Sequence, residues 1–353
     1  MQFVYQEDFH MHMADALLSP GTAAVMYVAS GAAAGISVSR LKKQDLTEKV
    51  PLMAVSAALV FAGQMINYTI PGTGSSGHLC GGMLLAALLG PEAGFLSMIT
   101  VLLIQCLFFA DGGLMALGAN IWNMAFYGCF LGYYLIWRPI VNSGLFGGDM
   151  KKKIALAAIL GCVITLQCGA FSVVLETTAS GITELPFGAF AGLMQPIHLA
   201  IGLVEGLITT AVLEYVWASR PELLAGVDEK GEAKSSMKSV LAVLAAVVVV
   251  TGGFLSHLAS SNPDGLEWAL FGNADGGYSE NMGLDEEDFG VSSSVADTAG
   301  SIQESTSFLP DYAFKNSDSA IGTTVSGLVG SAIVGGVALL IAVAAGKNRN
   351  KTA

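Results

Sequence analysis

IALAAILGCVITLQCGAFSVVL, Ile154 to Leu175, runs for 22 residues without a charged side chain. In a hydrocarbon layer only a helix or a closed barrel satisfies every backbone amide and carbonyl, and a helix needs about 20 apolar residues to cross. Eight further stretches of this character surround it: Pro20 to Ser39, Pro51 to Ile66, His78 to Leu89, Ala93 to Ala110, Met115 to Trp137, Phe187 to Trp217, Val240 to His257 and Ile321 to Ala345. His78 to Leu89 is too short to cross alone, so it is expected to be broken or partly re-entrant and covered by protein. The sequence therefore predicts an all-α integral membrane protein of about nine transmembrane helices.

Composition agrees. Of the 353 residues 53% are hydrophobic and only 12% charged, against about 25% charged in ordinary soluble domains, and the mean hydropathy is +0.61. The net charge of -12 comes mostly from one segment near the C-terminus, which argues against nucleic acid as a partner. Cys80, Cys106, Cys129, Cys162 and Cys168 sit in apolar runs without CxxC spacing, so they read as small core residues. Met1 to His10, MQFVYQEDFH, has neither the basic start nor the apolar stretch of a signal peptide.

Basic residues test the topology independently, because cytoplasmic loops are enriched in them. With the N-terminus outside, the clusters at Arg40 to Lys49, Arg138 to Lys153, Arg220 to Lys238 and Lys347 to Lys351 all fall inside, and only Lys315 of sixteen falls outside. Nine crossings, N-terminus out and C-terminus cytoplasmic, follow. The polar stretch SRPELLAGVDEKGEAKSS, Ser219 to Ser236, reads as a cytoplasmic linker joining a seven-helix bundle, residues 11–218, to a two-helix module, residues 237–353. Within that module His257 to Ala320 holds twelve acids, among them Asp285, Glu286, Glu287 and Asp288, against one lysine. It is expected to be a mostly irregular acidic loop outside the membrane, either a solvated connector or a collector of divalent cations.

Five histidines occur, His10, His12, His78, His198 and His257, with no HExxH, nucleophile elbow or Walker loop beside them. The chain thus has no nucleotide-driven motor of its own. Met11-His12-Met13-Ala14-Asp15 precedes the first span, and His78 ends a Gly-, Ser- and Thr-rich loop that enters the third, so both histidines belong to the same face of the membrane. If Met11 is the true first residue, its amine, the His12 amide nitrogen and the His12 ring form adjacent chelate rings, and His78 is placed to close the square. Planar nitrogen donation of this kind suits Ni(II) and Cu(II). Ligation displaces protons, so affinity should fall steeply as pH drops. The plainer alternative is that each histidine is a solvated polar residue near the membrane surface.

Other polar residues lie in apolar stretches, where ionisable groups are costly. Asp111 sits at the end of span four, Asn120 and Asn123 lie one turn apart in span five, and Glu205 follows His198 by seven residues. They read either as interhelical hydrogen bonding that fixes the bundle or, for Asn120, Asn123 and His198, as residues supporting the metal ligands. Ala29, Ala32, Ala33 and Gly35 make a small-residue face on span one that permits close helix approach, inside the chain or against a partner.

These motifs resemble the CbiM/NikM substrate-capture components of energy-coupling-factor importers for cobalt and nickel. The matching pieces are MHMADALLSP at Met11 to Pro20, SGHLCGGMLLAALLGPEAG at Ser76 to Gly94 and FFADGGLMALGANIWNM at Phe108 to Met124, with HLAIGLVEG at His198 to Gly206 in support. Behind the linker, SSNPDGLEWAL at Ser260 to Leu270 resembles the PDGLE signature of the two-span partner, CbiN or NikN. The resemblance implies a metal site made by the Met11 amine, the His12 amide and ring and the His78 ring, with Ni(II) or Co(II) as transported substrate and no tightly bound cofactor. It also implies partners: a membrane coupling protein and cytoplasmic ATPases. The family's motif starts at the initiator methionine, whereas ten residues precede Met11 here, so translation is expected to start at Met11 or the extension to be removed.

Two rival readings have different signatures. A metal-dependent membrane enzyme needs an acid or base beside the metal, for which Asp15 and Asp111 are the candidates. A self-sufficient secondary transporter predicts an inverted repeat and a line of ionisable groups through the bilayer, and neither is evident.

Overall fold

The computed structural model describes residues 12–44, 49–229, 231–274, 276–278, 281–282, 284, 290–315 and 321–346. The nine apolar stretches form helices. α1 (Pro20–Leu41) starts where the Ser19 side chain accepts the Thr22 amide and a proline takes the first helical position. α2 (Lys49–Gln64) leads into an antiparallel hairpin of β1 (Tyr68–Ile70) and β2 (Ser75–Gly77), with Tyr68 opposite Gly77. Then come α3 (Gly82–Leu89) and α4 (Pro91–Phe109). α5 (Leu117–Asn120), a π-helical stretch over Ile121–Trp137 and α6 (Arg138–Val141) make one continuous rod. α7 (Met150–Ala179) and α8 (Phe187–Ser219) pair along their lengths. The second module contributes α9 (Met237–Gly253), α10 (Gly265–Phe271), α11 (Ser294–Thr306) and α12 (Ile321–Gly346).

α1, α4, α7, α8 and α12 are long and apolar enough to cross a membrane, and α2 and α9 are shorter apolar helices of 16 and 17 residues. α3 differs. All eight of its residues are buried, and at about 1.5 Å per residue it rises only about 12 Å, so it is the half-helix that the sequence predicts. It lies flush against the rod because a Cβ on Gly82 would stand 2.6 Å from the Met124 carbonyl oxygen and one on Gly128 would stand 2.8 Å from the Gly82 carbonyl carbon. α12 and α9 pack on α2, which joins the two modules through apolar side chains in one core.

The segment after His257, expected from its composition to be a mostly irregular loop, contains two helices among its described residues. It contains α10, closed by a capping box in which Asp264 accepts the Glu267 amide and Glu267 accepts the Asp264 amide, and α11, capped by Ser293. Leu266, Ala269 and Leu270 of α10 and Ala299 of α11 are buried in one apolar cluster with Met13 and Phe190, and polar contacts add to this. Gln303 on α11 donates to the carbonyls of Cys106, at 2.9 Å, and Gly112, at 2.7 Å, so the helix is held by the end of α4. Asp285, Glu286, Glu287 and Asp288 lie outside the described residues, as do Met1 to Met11. The beginning of the Ser219–Ser236 stretch is also packed: the Ala225 amide donates to the Ala87 carbonyl at 2.7 Å and the Trp137 indole donates to the Ala225 carbonyl at 2.8 Å.

Candidate metal centre

His12, the hairpin, the turn after α4 and α10 converge at the end of the bundle opposite the Ser219–Ser236 stretch. α4 stops at Ala110, whose left-handed backbone turns the chain so that Asp111 faces inward. Asp111 Oδ1 then accepts a hydrogen bond from His12 Nδ1 at 2.9 Å. Its other oxygen accepts from Tyr312 of the second module at 2.5 Å, and Gln105 Nε2 donates to the Tyr312 hydroxyl at 3.2 Å. Burial, with the Asp111 carboxylate next, pushes the Tyr312 phenol well above its ordinary range, so it remains a hydrogen donor. Gly112 is required here: its φ is +78°, and a Cβ would stand 2.6 Å from the His12 Cβ.

The backbone after His12 is pinned in register with the same turn. The Met13 amide donates to Asn120 Oδ1 and Asn120 Nδ2 donates to the Met13 carbonyl, each at 3.1 Å. Asp15 Oδ1 accepts the Ala116 amide at 2.9 Å. Asn120 thus braces the backbone just after His12. Asn123 lines the same cavity, and its side-chain amide donates to Glu176 Oε2 at 2.8 Å.

His78 follows β2. Its Nδ1 donates to the Leu79 carbonyl at 3.1 Å, and its Nε2 stands 3.8 Å from Asp264 Oδ2. Burial raises the Asp264 carboxyl above its usual range, with the His78 ring pulling the other way. The amides of Cys80 and Gly81 both donate to the Glu205 carboxylate at 2.9 Å, fixing the strand that carries His78 onto α3.

The His12 and His78 rings stand 5.7 Å apart between centres, nearly edge to face at 76°. Two imidazoles sharing one metal, each nitrogen about 2 Å from it, have ring centres about 4.5 to 6.4 Å apart. His12 Nε2 is buried without a hydrogen-bond partner. Between the rings opens a cavity of about 90 Å³ whose lining includes Asn120, Asn123, His198 and Asp264. That holds an ion and a few waters, at about 30 Å³ of liquid volume each, and is far below the roughly 300 Å³ at which organic ligand pockets begin. His198 lies on the wall with Nδ1 on the Met194 carbonyl at 2.8 Å. Among the described residues no three His, Cys, Asp or Glu side chains are grouped to hold a metal by themselves, so an ion bound here needs main-chain nitrogen as well. Met11, the expected source of the amine, lies outside the described residues.

Asp264, Tyr312 and Trp268, whose indole donates to the Thr73 carbonyl at 3.0 Å, are the site-end residues that sequence reasoning misses. The one local signal is the Asp264–Glu267 spacing of a capping box.

The model of the cobalt uptake substrate-specific transmembrane region, CbiM, matches residues 12–223. The chain belongs to the CbiM family. A PDGLE domain follows, matching residues 238–347. Among relatives, a protein of Archaeoglobus fulgidus described as fused nickel transport protein NikMN is 36% identical over 92% of this chain and 95% of its own. The cobalt transport protein CbiM of Sorangium cellulosum is 32% identical over 61% of this chain and 94% of its own. A crystal structure of a truncated transition metal transporter, 33% identical, superposes with a TM-score of 0.51 over 59% of this chain and 98% of that one. The histidine pair therefore belongs to the CbiM region, and Asp264 and Tyr312 reach it from the PDGLE domain.

Proposed function

We propose that the chain is the substrate-specific membrane component of an ATP-driven energy-coupling-factor importer for nickel or cobalt, and that it captures the ion with the Met11 amine, the His12 amide and ring and the His78 ring. The observation that carries this is the pairing of two histidines from separate segments around an ion-sized cavity. The relatives carry the names of nickel and cobalt transport proteins, and the chain is a transport component rather than an enzyme. Asp111, the acid beside His12, is engaged by His12 and Tyr312, which suits an orienting role.

Chelation by His12 through its own amide uses Nδ1, because Nε2 is too far from the ring's own backbone to close a six-membered chelate. Nδ1 donates to Asp111, so ligation through this nitrogen would exchange that proton for the metal. Protons also leave the amine and the amide, and affinity falls as pH drops. Four nitrogens in a plane favour nickel. The site end faces outward and the C-terminus faces the cytoplasm, as the basic loops indicate. Residues 11–218 form the capture module and 219–236 a cytoplasmic linker. A membrane coupling protein and ATPase subunits supply the energy.

The test is uptake of radiolabelled nickel and cobalt by cells making the chain with and without those partners. Uptake should require the partners and be lost in His12→Ala and His78→Ala but not in His257→Ala, whose ring bonds Thr324 away from the site. Equal uptake without partners would instead indicate a self-sufficient secondary transporter. N-terminal sequencing of the membrane-purified protein tests the amine donor, and tight nickel binding by a chain beginning at Met1 would exclude it.

A further inference from the structure

α11 lies at membrane depth, although the stretch that holds it is acidic and polar. Its Gln303 donates to the Cys106 carbonyl, in the last turn of α4, and to the Gly112 carbonyl just beyond it. Its Val295, Thr298 and Ile302 stand across a groove from Ala24 and Tyr27, in the first turns of α1. The helix is also amphipathic. At 3.6 residues per turn Val295, Thr298, Ala299 and Ile302 share one face, and Asp297, Ser301 and Glu304 share the opposite one. Ala299 is buried, but Val295 and Ile302 remain 50% and 47% exposed. A helix of this pattern at such a depth lies in the plane of the interface with its apolar face toward the acyl chains.

The groove between α11 and α1 encloses about 560 Å³, within the roughly 300 to 1,000 Å³ of small-molecule sites. Met115 and Ala299, both buried, form its floor. None of the described residues lining it is charged. The Tyr27 hydroxyl is taken up by the Leu114 carbonyl, and the Thr298 hydroxyl by the Ser294 carbonyl at 2.7 Å. Ordered water needs two to four polar partners, which this lining does not offer. The groove is continuous with the outward side of α1, where Val25 and Val28 are 65% and 72% exposed and, in a spanning helix, face hydrocarbon. We propose that the groove between α1 and α11 is a lipid site, taking one acyl chain of a phospholipid from the leaflet at the His12 end of the bundle. The chain rather than the headgroup is recognised, because α11 has no lysine or arginine with which to pair an anionic headgroup. The PDGLE domain thereby grips the bilayer as well as the CbiM region.

The experiment reconstitutes the purified full chain in phosphatidylcholine vesicles, a fraction of whose lipid carries a diazirine in one acyl chain, and maps the labelled residues by mass spectrometry after irradiation. Val28, on the open side of α1, reports ordinary lipid contact, while Met115 and Ala299 report the groove. All three should be labelled in the native chain. Ala24→Trp and Thr298→Trp fill the groove from opposite walls at exposed positions, and either should abolish labelling of Met115 and Ala299 while Val28 keeps its own. Unlabelled Met115 and Ala299 beside a labelled Val28 in the native chain overturn the proposal without recourse to a variant. Labelling of the two floor residues by a water-soluble diazirine overturns it too, because the groove is then a hydrated gap. So does lipid labelling of the floor that survives both substitutions, since the chain then reaches those residues by another route.

Discussion

Asp111 fixes what His12 can do. A carboxylate on Nδ1 orients the ring and sets its tautomer, and because Nδ1 is the nitrogen that chelates, Asp111 stands where it can take up the proton that capture displaces. Asp111 keeps its place through Tyr312, and Tyr312 through Gln105, so three side chains from two modules stand behind one donor. Asp111→Asn, which can still accept one hydrogen bond but cannot take up the displaced proton, should weaken Ni(II) binding while leaving the fold intact. Competition with a chromophoric chelator measures this, and an unchanged affinity would show that Asp111 serves only to end α4. The histidines are legible in the sequence because residue type and position relative to the spans suffice. Asp111 is visible only as a polar residue at a helix end, and Tyr312 is not visible at all, since the contact spans 201 positions of chain.

At the scale of the element, α3 carries the argument. Eight buried residues cannot cross a bilayer, and a broken helix leaves end groups that protein must satisfy. At the His78 end the Cys80 and Gly81 amides are met by Glu205 on α8. At the other end Lys49 donates to the Leu89 carbonyl at 3.2 Å, and Ala225, just beyond α8, donates to the Ala87 carbonyl at 2.7 Å. One helix and its tail thus hold both ends of the segment that presents His78. Hydrogen bonds to a charged group are worth about 1.5–3 kcal/mol, so Glu205→Ala should speed amide exchange at Cys80 and Gly81 by about tenfold or more. Glu205→Gln, with one acceptor oxygen left, should fall between. Hydrogen–deuterium exchange of the full chain reads this directly, and native protection in Glu205→Ala would mean that the hairpin alone holds His78. The short apolar run and its broken character follow from composition and length. Its anchoring does not, because Glu205 is 125 and 124 positions away, and the same acid on an apolar stretch reads equally well as general interhelical bonding.

For the whole molecule, the two modules share a core and a site. α12 and α9 lie on α2, and the segment between them returns to the far end of the CbiM region, where Trp268, Gln303 and Tyr312 each bond a residue there. Composition marks that segment only as acidic and polar, since the few apolar residues that anchor it, Leu266, Ala269, Leu270 and Ala299, are scattered through a polar stretch and its hydrogen bonds are long-range. A consequence can be measured. A ligand that binds only the folded form at a hundredfold excess over its Kd stabilises that form by about 2.7 kcal/mol. If the modules are one cooperative unit, Ni(II) should raise the unfolding temperature reported by Trp268, in the PDGLE domain, and by the helical circular dichroism of the whole chain to the same extent, and a chelator should lower both together. A Trp268 transition that stays put while the helical signal shifts would mean that the second module melts independently of the site it touches. The contacts of Ser76, Asn273 and Trp268 with the partner segment argue for the single transition, because the hairpin cannot hold His78 in place while releasing the chain bonded along its edge.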